Sequence, residues 1–175
     1  MESSQKRVRP AVVVVMGVAS SGKTSLGERL ARHLGWPFRD ADSFHPPENV
    51  AKMSGGTPLN DDDRKPWLRA IAAWIDDLRA TGRNGIVTCS ALKKRYRDVI
   101  VGDRPDVALV YLKGSRELIG ARMAARQHHF MPPAPLDSQF AALEEPGEDE
   151  RPLVMPVDLP KDEIERRVLG ELGLG

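Results

Sequence analysis

The chain alternates between short apolar runs and longer stretches in which apolar residues recur every three or four positions. The first run, residues 11–16, is Ala-Val-Val-Val-Val-Met between Pro10 and Gly17, which predicts a fully buried strand. Leu26, Leu30 and Leu34 then fall four apart, which predicts a helix over 23–34 closed by Gly35. Residues 37–42 read as a short second strand ending in Asp40 and Asp42, and 46–54 as a short helix entered through two prolines. The strongest amphipathic pattern is Trp67, Leu68, Ile71, Trp74, Ile75 and Leu78, which predicts a helix over 61–80 with Asp61, Asp62 and Asp63 at its positive end. Further strands are expected at 85–89, 107–112 and 153–157. Further helices are expected at 92–101, 115–127 (capped by Ser115), 136–143 and 162–172. Residues 128–135 read as a proline-rich loop and 144–151 as a solvated acidic turn.

Strands that alternate with helices predict a parallel sheet covered on both faces, with ligands at the C-terminal ends of the strands. The loops after the strands should therefore carry the chemistry. The first of them, Gly17-Val18-Ala19-Ser20-Ser21-Gly22-Lys23-Thr24, fits G-x-x-x-x-G-K-[ST] at every required position, between a predicted strand and a predicted helix. Gly17 and Gly22 let the backbone turn so that successive N–H groups face phosphate oxygens, at the positive end of the helix dipole. Lys23 is placed to reach the β- and γ-phosphates and the Thr24 hydroxyl to ligate Mg²⁺. Ser20, Ser21 and Ser25 complete the nucleotide-binding set.

Composition narrows the picture without redirecting it. The 175 residues suit one domain: a loose tail over 1–10 and a single catalytic unit over 11–175. Lys and Arg number 26 against 25 Asp and Glu, so no global field selects nucleic acid or a membrane surface. No apolar run approaches the roughly 18 residues of a membrane span. Cys89 is the single cysteine, which excludes an internal disulfide and fits a reducing cytoplasm.

Further candidates cluster after the other strands. Asp40 and Asp42, at i and i+2 on an extended chain, are expected to point to one side, one toward Mg²⁺ and one toward an attacking hydroxyl. His45 is a candidate hydrogen-bond partner for substrate, and Arg64 a candidate bidentate grip on a carboxylate. Lys93 and Arg97 belong to a basic cluster after the third strand, which its position assigns to an anionic substrate. Arg122 and Arg126 share a helix face and lead toward His128-His129, as cations of a closing loop over transferring phosphate would. The adjacent histidines point apart and have no Cys or third His nearby, so no zinc site is expected.

With these residues in view the sequence resembles the gluconokinase family, small phosphate-loop kinases related to shikimate and nucleoside-monophosphate kinases. The resemblance covers roughly residues 12–146. It is carried by the phosphate loop, by Asp40-Ala41-Asp42-Ser43-Phe44-His45-Pro46 with Asn49 and Lys52-Met53, by the run from Pro58 to Leu68, and by the run from Cys89 to Lys94 with Tyr96-Arg97-Asp98. A fifth block, Arg122, Arg126 and His129-Phe130-Met131 with Ser138-Gln139-Phe140, looks like the family's lid. The resemblance implies a three-layer α/β fold with a five-stranded parallel sheet, a mobile lid at about 122–140, and a homodimer. It implies phosphorylation of D-gluconate on its 6-hydroxyl by MgATP, with no nucleic-acid or membrane partner. It assigns Lys23, Asp42 and Arg126 to catalysis, and Thr24 and Asp40 to the metal. Asp42, His45, Arg64, Lys93, Arg97, His129 and Gln139 go to gluconate, and Arg122, Arg126 and Asp158 to the nucleotide. Ala41, His128 and Pro135 depart from the family's usual residues, and Pro135 should stiffen the lid.

The residues alone reach a small phosphoryl-transfer enzyme for an anionic or hydroxylated metabolite. A kinase with a shikimate-like acceptor is the neighbouring alternative. A nucleotide-binding switch or a module without turnover is the alternative of another class. A GTPase switch would carry N-K-x-D and D-x-x-G, and the chain contains neither.

Overall fold

The computed structural model describes residues 9–125 and 136–175. Its centre is β1 (Val12–Met16), every residue of which is fully buried. Side chains alternate across a strand, so Val12, Val14 and Met16 enter one core while Val13 and Val15 enter the other. A strand buried on both faces favours apolar residues at every position, which is why this run reads as four valines and a methionine.

Around it lie α1 (Lys23–Leu34), β2 (Phe38–Asp40), a 3₁₀ turn (Ala41–Phe44), α2 (Pro47–Ser54), α3 (Asp61–Ala80) and β3 (Gly85–Thr88). Then come α4 (Lys94–Ile100), β4 (Val107–Lys113), α5 (Arg116–Ala125), α6 (Leu136–Ala142), a 3₁₀ turn (Glu148–Glu150), β5 (Leu153–Pro156) and α7 (Lys161–Glu171). The sheet order is β2-β3-β1-β4-β5, with all pairs parallel. Helices α3 and α4 cover one face and α1, α5 and α7 the other. The chain moves to opposite sides of β1 for β3 and β4, so the crevice at the C-terminal end of β1 is the topological switch point.

Helices α1 and α3 have the bounds that their periodicity predicts. Helix α3 begins with a capping box: Asn60 Oδ1 accepts from the Asp63 N–H at 2.8 Å, and Asp63 Oδ2 accepts from the Asn60 N–H at 2.9 Å. Ser115 Oγ accepts from the Leu118 N–H at 3.1 Å, as expected of the cap before α5.

Two expectations are corrected. The second strand stops at Asp40 instead of running to 42, because the chain turns there into the 3₁₀ segment. The acidic stretch 144–151 is no mere solvated turn. Glu144 Oε1 accepts from the Lys94 N–H, Glu145 from the Tyr111 hydroxyl, and Glu150 from Arg97, so it clasps α4 to β4. The proline-rich loop expected over 128–135 lies outside the described residues.

Candidate active site

The phosphate loop leaves the end of β1 with the backbone its chemistry requires. Gly17 has φ 154°, and a Cβ there would lie 2.6 Å from Ser21 Oγ. Gly22 caps α1 at φ 100°, ψ 17°, a left-handed geometry that glycine adopts without penalty. Ser20 is also left-handed, at φ 64°, a conformation that costs a non-glycine residue about 1–2 kcal/mol. Lys23 Nζ curls back over the loop and donates to the carbonyls of Gly17 and Val18, both at 2.9 Å. The Ser21 hydroxyl is 2% exposed and, among the described residues, is the buried side-chain polar atom left without a hydrogen-bond partner. An orphaned donor in a cradle that a Cβ would fill fits a phosphate group.

From this loop a cavity of about 340 Å³ extends past Ser25, Leu26 and Arg29 of α1 to Arg122 on α5 and to Val157 and Leu159 before α7. Its apolar lining away from the loop, Leu112, Val157, Leu159 and Ile164, suits a nucleoside joined to phosphates at the loop. Arg122 donates to the carbonyl of Val157 at 2.5 Å, which ties α5 to the segment after β5. Asp158, expected near the nucleotide, is exposed between two of the lining residues.

The acceptor side is built by the 3₁₀ turn, α2 and the start of α3. Asp40 is not parallel to Asp42, as an extended chain would make it. Its Oδ1 accepts from the Asp42 N–H at 2.9 Å and caps the turn, while Oδ2 accepts from the Thr88 hydroxyl at 3.0 Å across the β2–β3 pair. Each carboxylate oxygen keeps a lone pair for a further partner. Asp42 instead stands on the turn with its side chain 89% exposed. Desolvation, and then the Asp40 carboxylate, push its pKa above the usual carboxylate range, against the pull of His45 and Lys23. That balance brings Asp42 into the field of the phosphate-loop lysine.

His45 stacks on Trp67, with ring centroids 4.5 Å apart and planes 10° from parallel. Trp67 is held in turn by its indole N–H, which donates to the Ala41 carbonyl at 2.7 Å. Burial, outweighing the nearby Asp42, holds the His45 imidazole below its ordinary pKa. Arg64, one third exposed, donates to the Tyr96 hydroxyl at 3.2 Å, and that hydroxyl donates to Asp61 at 2.6 Å. Lys52 Nζ meets Asp63 Oδ2 at 2.7 Å and fastens α2 to α3.

The structure therefore gathers Lys23, Asp40, Asp42, His45 and Arg64, with Thr24 exposed at the start of α1. Lys93 lies half-buried just before α4. Two expectations change. Arg97 does not face the cleft: its side chain is 1% exposed, its Nε and Nη2 donate to the two Glu150 oxygens at 2.7 and 3.1 Å, and Nη1 donates to the Ala91 carbonyl at 2.7 Å. Gln139, assigned to gluconate, accepts from the Ala19 N–H of the phosphate loop at 2.5 Å. Arg126 and His129 lie outside the described residues. Sequence reasoning missed the support given to Asp40 by Thr88. The one signal was a threonine that ends the apolar run Ile86-Val87, at the rung facing Asp40.

The family model described as shikimate kinase matches residues 19–155. The chain is 44% identical over 147 residues to the gluconokinase of Gluconobacter oxydans (strain 621H), covering 84% of this chain and 83% of that one. It is 42% identical over 154 residues to the thermoresistant gluconokinase of Escherichia coli K12, covering 87% and 88%. The crystal structure of a gluconokinase from Sinorhizobium meliloti 1021 superposes with a TM-score of 0.81 at 43% identity, covering 95% of this chain and 94% of that one.

Proposed function

The chain belongs to the gluconokinase family, and from that premise we propose the following division of labour for its reaction, the ATP-dependent phosphorylation of D-gluconate on the 6-hydroxyl to 6-phospho-D-gluconate and ADP. Phosphoryl transfer needs little covalent help from the protein; it needs reactants held in line and negative charge offset where it develops. The phosphate-loop amides and Lys23 take the β- and γ-phosphates, and the nucleoside lies in the cavity bounded by Arg122. The Thr24 hydroxyl and Asp40 would hold Mg²⁺, which would neutralise phosphate charge. Asp42 orients the acceptor hydroxyl and accepts its proton, a role favoured by a carboxylate whose pKa is raised toward the working range. His45 and Arg64 bind the sugar acid, with Lys93 at its edge. The family resemblance assigns residues 122–140 to a lid, Arg126 to the phosphates and His129 to the acceptor; within the described residues Gln139, now bonded to the phosphate loop, is assigned to substrate. A cytoplasmic homodimer completes the reading, supported by the family resemblance and the single cysteine. Cys89 takes no chemical part: burial pushes its thiol up to about 12.

The observation that carries the proposal is the meeting of Asp42, His45 and the Lys23 field at the mouth of the phosphate loop. The test is an ADP-release assay with MgATP against gluconate, its epimers, shikimate, AMP and no acceptor, run beside Asp42→Asn. Turnover with gluconate alone is expected, with kcat reduced about 10²-fold or more in the variant. Turnover with shikimate or AMP but not gluconate would sink the acceptor assignment; an unchanged kcat in the variant would remove Asp42 as the base.

A further inference from the structure

An imidazole beside a carboxylate can serve as a base or only as a hydrogen-bond donor, and the position of its proton decides which. The wall around His45 fixes that position. The side chain is 5% exposed, and the stack on Trp67 sets the plane of the ring. In that plane Nδ1 lies 3.2 Å from Asn49 Nδ2. Asn49 is itself 4% exposed, and the same Nδ2 donates to the Asp63 carbonyl at 2.8 Å. A backbone carbonyl only accepts, so it is the amide nitrogen of Asn49, not its oxygen, that faces this side. That nitrogen carries two hydrogens. One is taken by Asp63, and the other is directed at His45. Two donors cannot face each other, so Nδ1 must present its lone pair.

We infer that Asn49 is a positioning residue that locks His45 as the Nε2–H tautomer, making it a hydrogen-bond donor toward the acceptor hydroxyl and removing it as a base. The lone pair of Nδ1 is engaged by Asn49 and Nε2 carries the proton, so no site on the ring is left to accept one. Nε2 faces Asp42 Oδ1 at 3.9 Å, too far for a direct hydrogen bond. A substrate hydroxyl between them accepts from Nε2–H and donates its own hydrogen to Asp42. The roles thus divide: the imidazole orients the oxygen, and the carboxylate takes the proton. Of the charged groups facing the ring, Asp42 favours an imidazolium, while Arg64 on α3 opposes it together with burial. An Nδ1–H would also confront the Asn49 amide. The identity of the oxygen that His45 meets rests on the kinase reading; the tautomer does not.

Nitrogen–proton correlation NMR of the histidine side chains in the full-length protein reads the tautomer directly, with the His45 signals identified by their loss in His45→Gln. The wild-type protein is expected to show the Nε2–H pattern at neutral pH. Asn49→Asp places an acceptor opposite Nδ1, and is expected to move His45 to the Nδ1–H or imidazolium pattern. The Nδ1–H pattern removes the Nε2–H donor and should raise the KM for gluconate roughly tenfold with the KM for ATP unchanged, whereas the imidazolium pattern keeps that donor and should leave both KM values near wild type. An Nδ1–H pattern in the wild type, or an Nε2–H pattern that persists in Asn49→Asp, overturns the lock. If the variant does not fold, the wild-type spectrum decides alone. If the acceptor panel rejects gluconate, an Nε2–H pattern still upholds the lock and only the oxygen it serves changes.

Discussion

Removing Glu150 should cost this protein stability and leave gluconate recognition alone. Arg97 was expected at the substrate, yet its guanidinium is 1% exposed and bidentate to a carboxylate that is itself only 10% exposed. Its remaining bond goes to the carbonyl of Ala91, a non-glycine residue held at φ 46° in the turn after β3. The adjacent Ser90 carbonyl accepts from the Gly17 N–H at 3.4 Å, so the pair braces the turn that abuts the phosphate loop. Taking one partner from a buried ion pair costs about 3–5 kcal/mol, because the other charge stays desolvated. Here the lower end applies. An opening of about 560 Å³, lined by Arg97, Glu150, Arg104 and Val107, lets water reach the vacated position. Glu150→Ala is therefore expected to lose about 3 kcal/mol, a large part of a typical total of about 5–15. With a urea m value of about 2 kcal/mol/M, the midpoint falls by about 1.5 M. Arg97→Met should lose a similar amount, and Arg97→Met with Glu150→Leu less than the sum of the single changes. Denaturation with kinetics on the same samples decides the matter. A midpoint shift below about 0.5 M in Glu150→Ala, with a tenfold higher KM for gluconate in Arg97→Met, would refute the brace and return Arg97 to the substrate.

Two further outcomes are expected. Asp76 is held down to about 2, chiefly by Arg104, which donates to both its oxygens at 2.7 and 2.8 Å, with help from Arg79. A depressed carboxylate stabilises the fold above its unfolded pKa of about 3.9, and that contribution fades as pH falls through the folded value. The side chain is 48% exposed, so screening limits the contribution to about 1 kcal/mol. The stability gap between wild type and Asp76→Asn should close between about pH 4 and pH 2 in denaturant titrations; a constant gap would mean that the ionised pair contributes nothing. For Gln139→Ala, hydrogen exchange on the nucleotide-free protein should show lost protection in Leu136–Ala142 with β1 unchanged, since the bond to Ala19 fastens α6 to the phosphate loop. Equal exchange in both proteins would show that other contacts hold the helix.

What could be read from the sequence, and what could not, follows from the range of the forces involved. The bounds of α1 and α3, the burial of β1 and the phosphate loop were legible because each is dictated within a few residues: by periodicity, by a cap, or by backbone that only glycine adopts freely. The order of the five strands was not legible, because periodicity names strands but not their neighbours, and the family resemblance gave a five-stranded parallel sheet without an order. Arg97 was misplaced for the opposite reason. Its partner is 53 residues away, in a stretch whose acidity reads locally as a solvated turn. Nothing in the local pattern distinguishes a guanidinium that awaits a substrate carboxylate from one that already holds a carboxylate of its own chain. The aspartate pair shows the same limit at short range. The expected strand ran through Asp40 to Asp42, and the direction of Asp42 depends on whether the chain continues extended or turns. The turn is made by Asp40 itself, whose carboxylate is drawn to the Asp42 amide and to a threonine 48 residues on. In the proposed mechanism the same bonds that hid the geometry divide the work of the site. Asp40, fixed by the backbone and by Thr88, is suited to a stationary ion. Asp42, left exposed and pushed toward protonation, is suited to a moving proton.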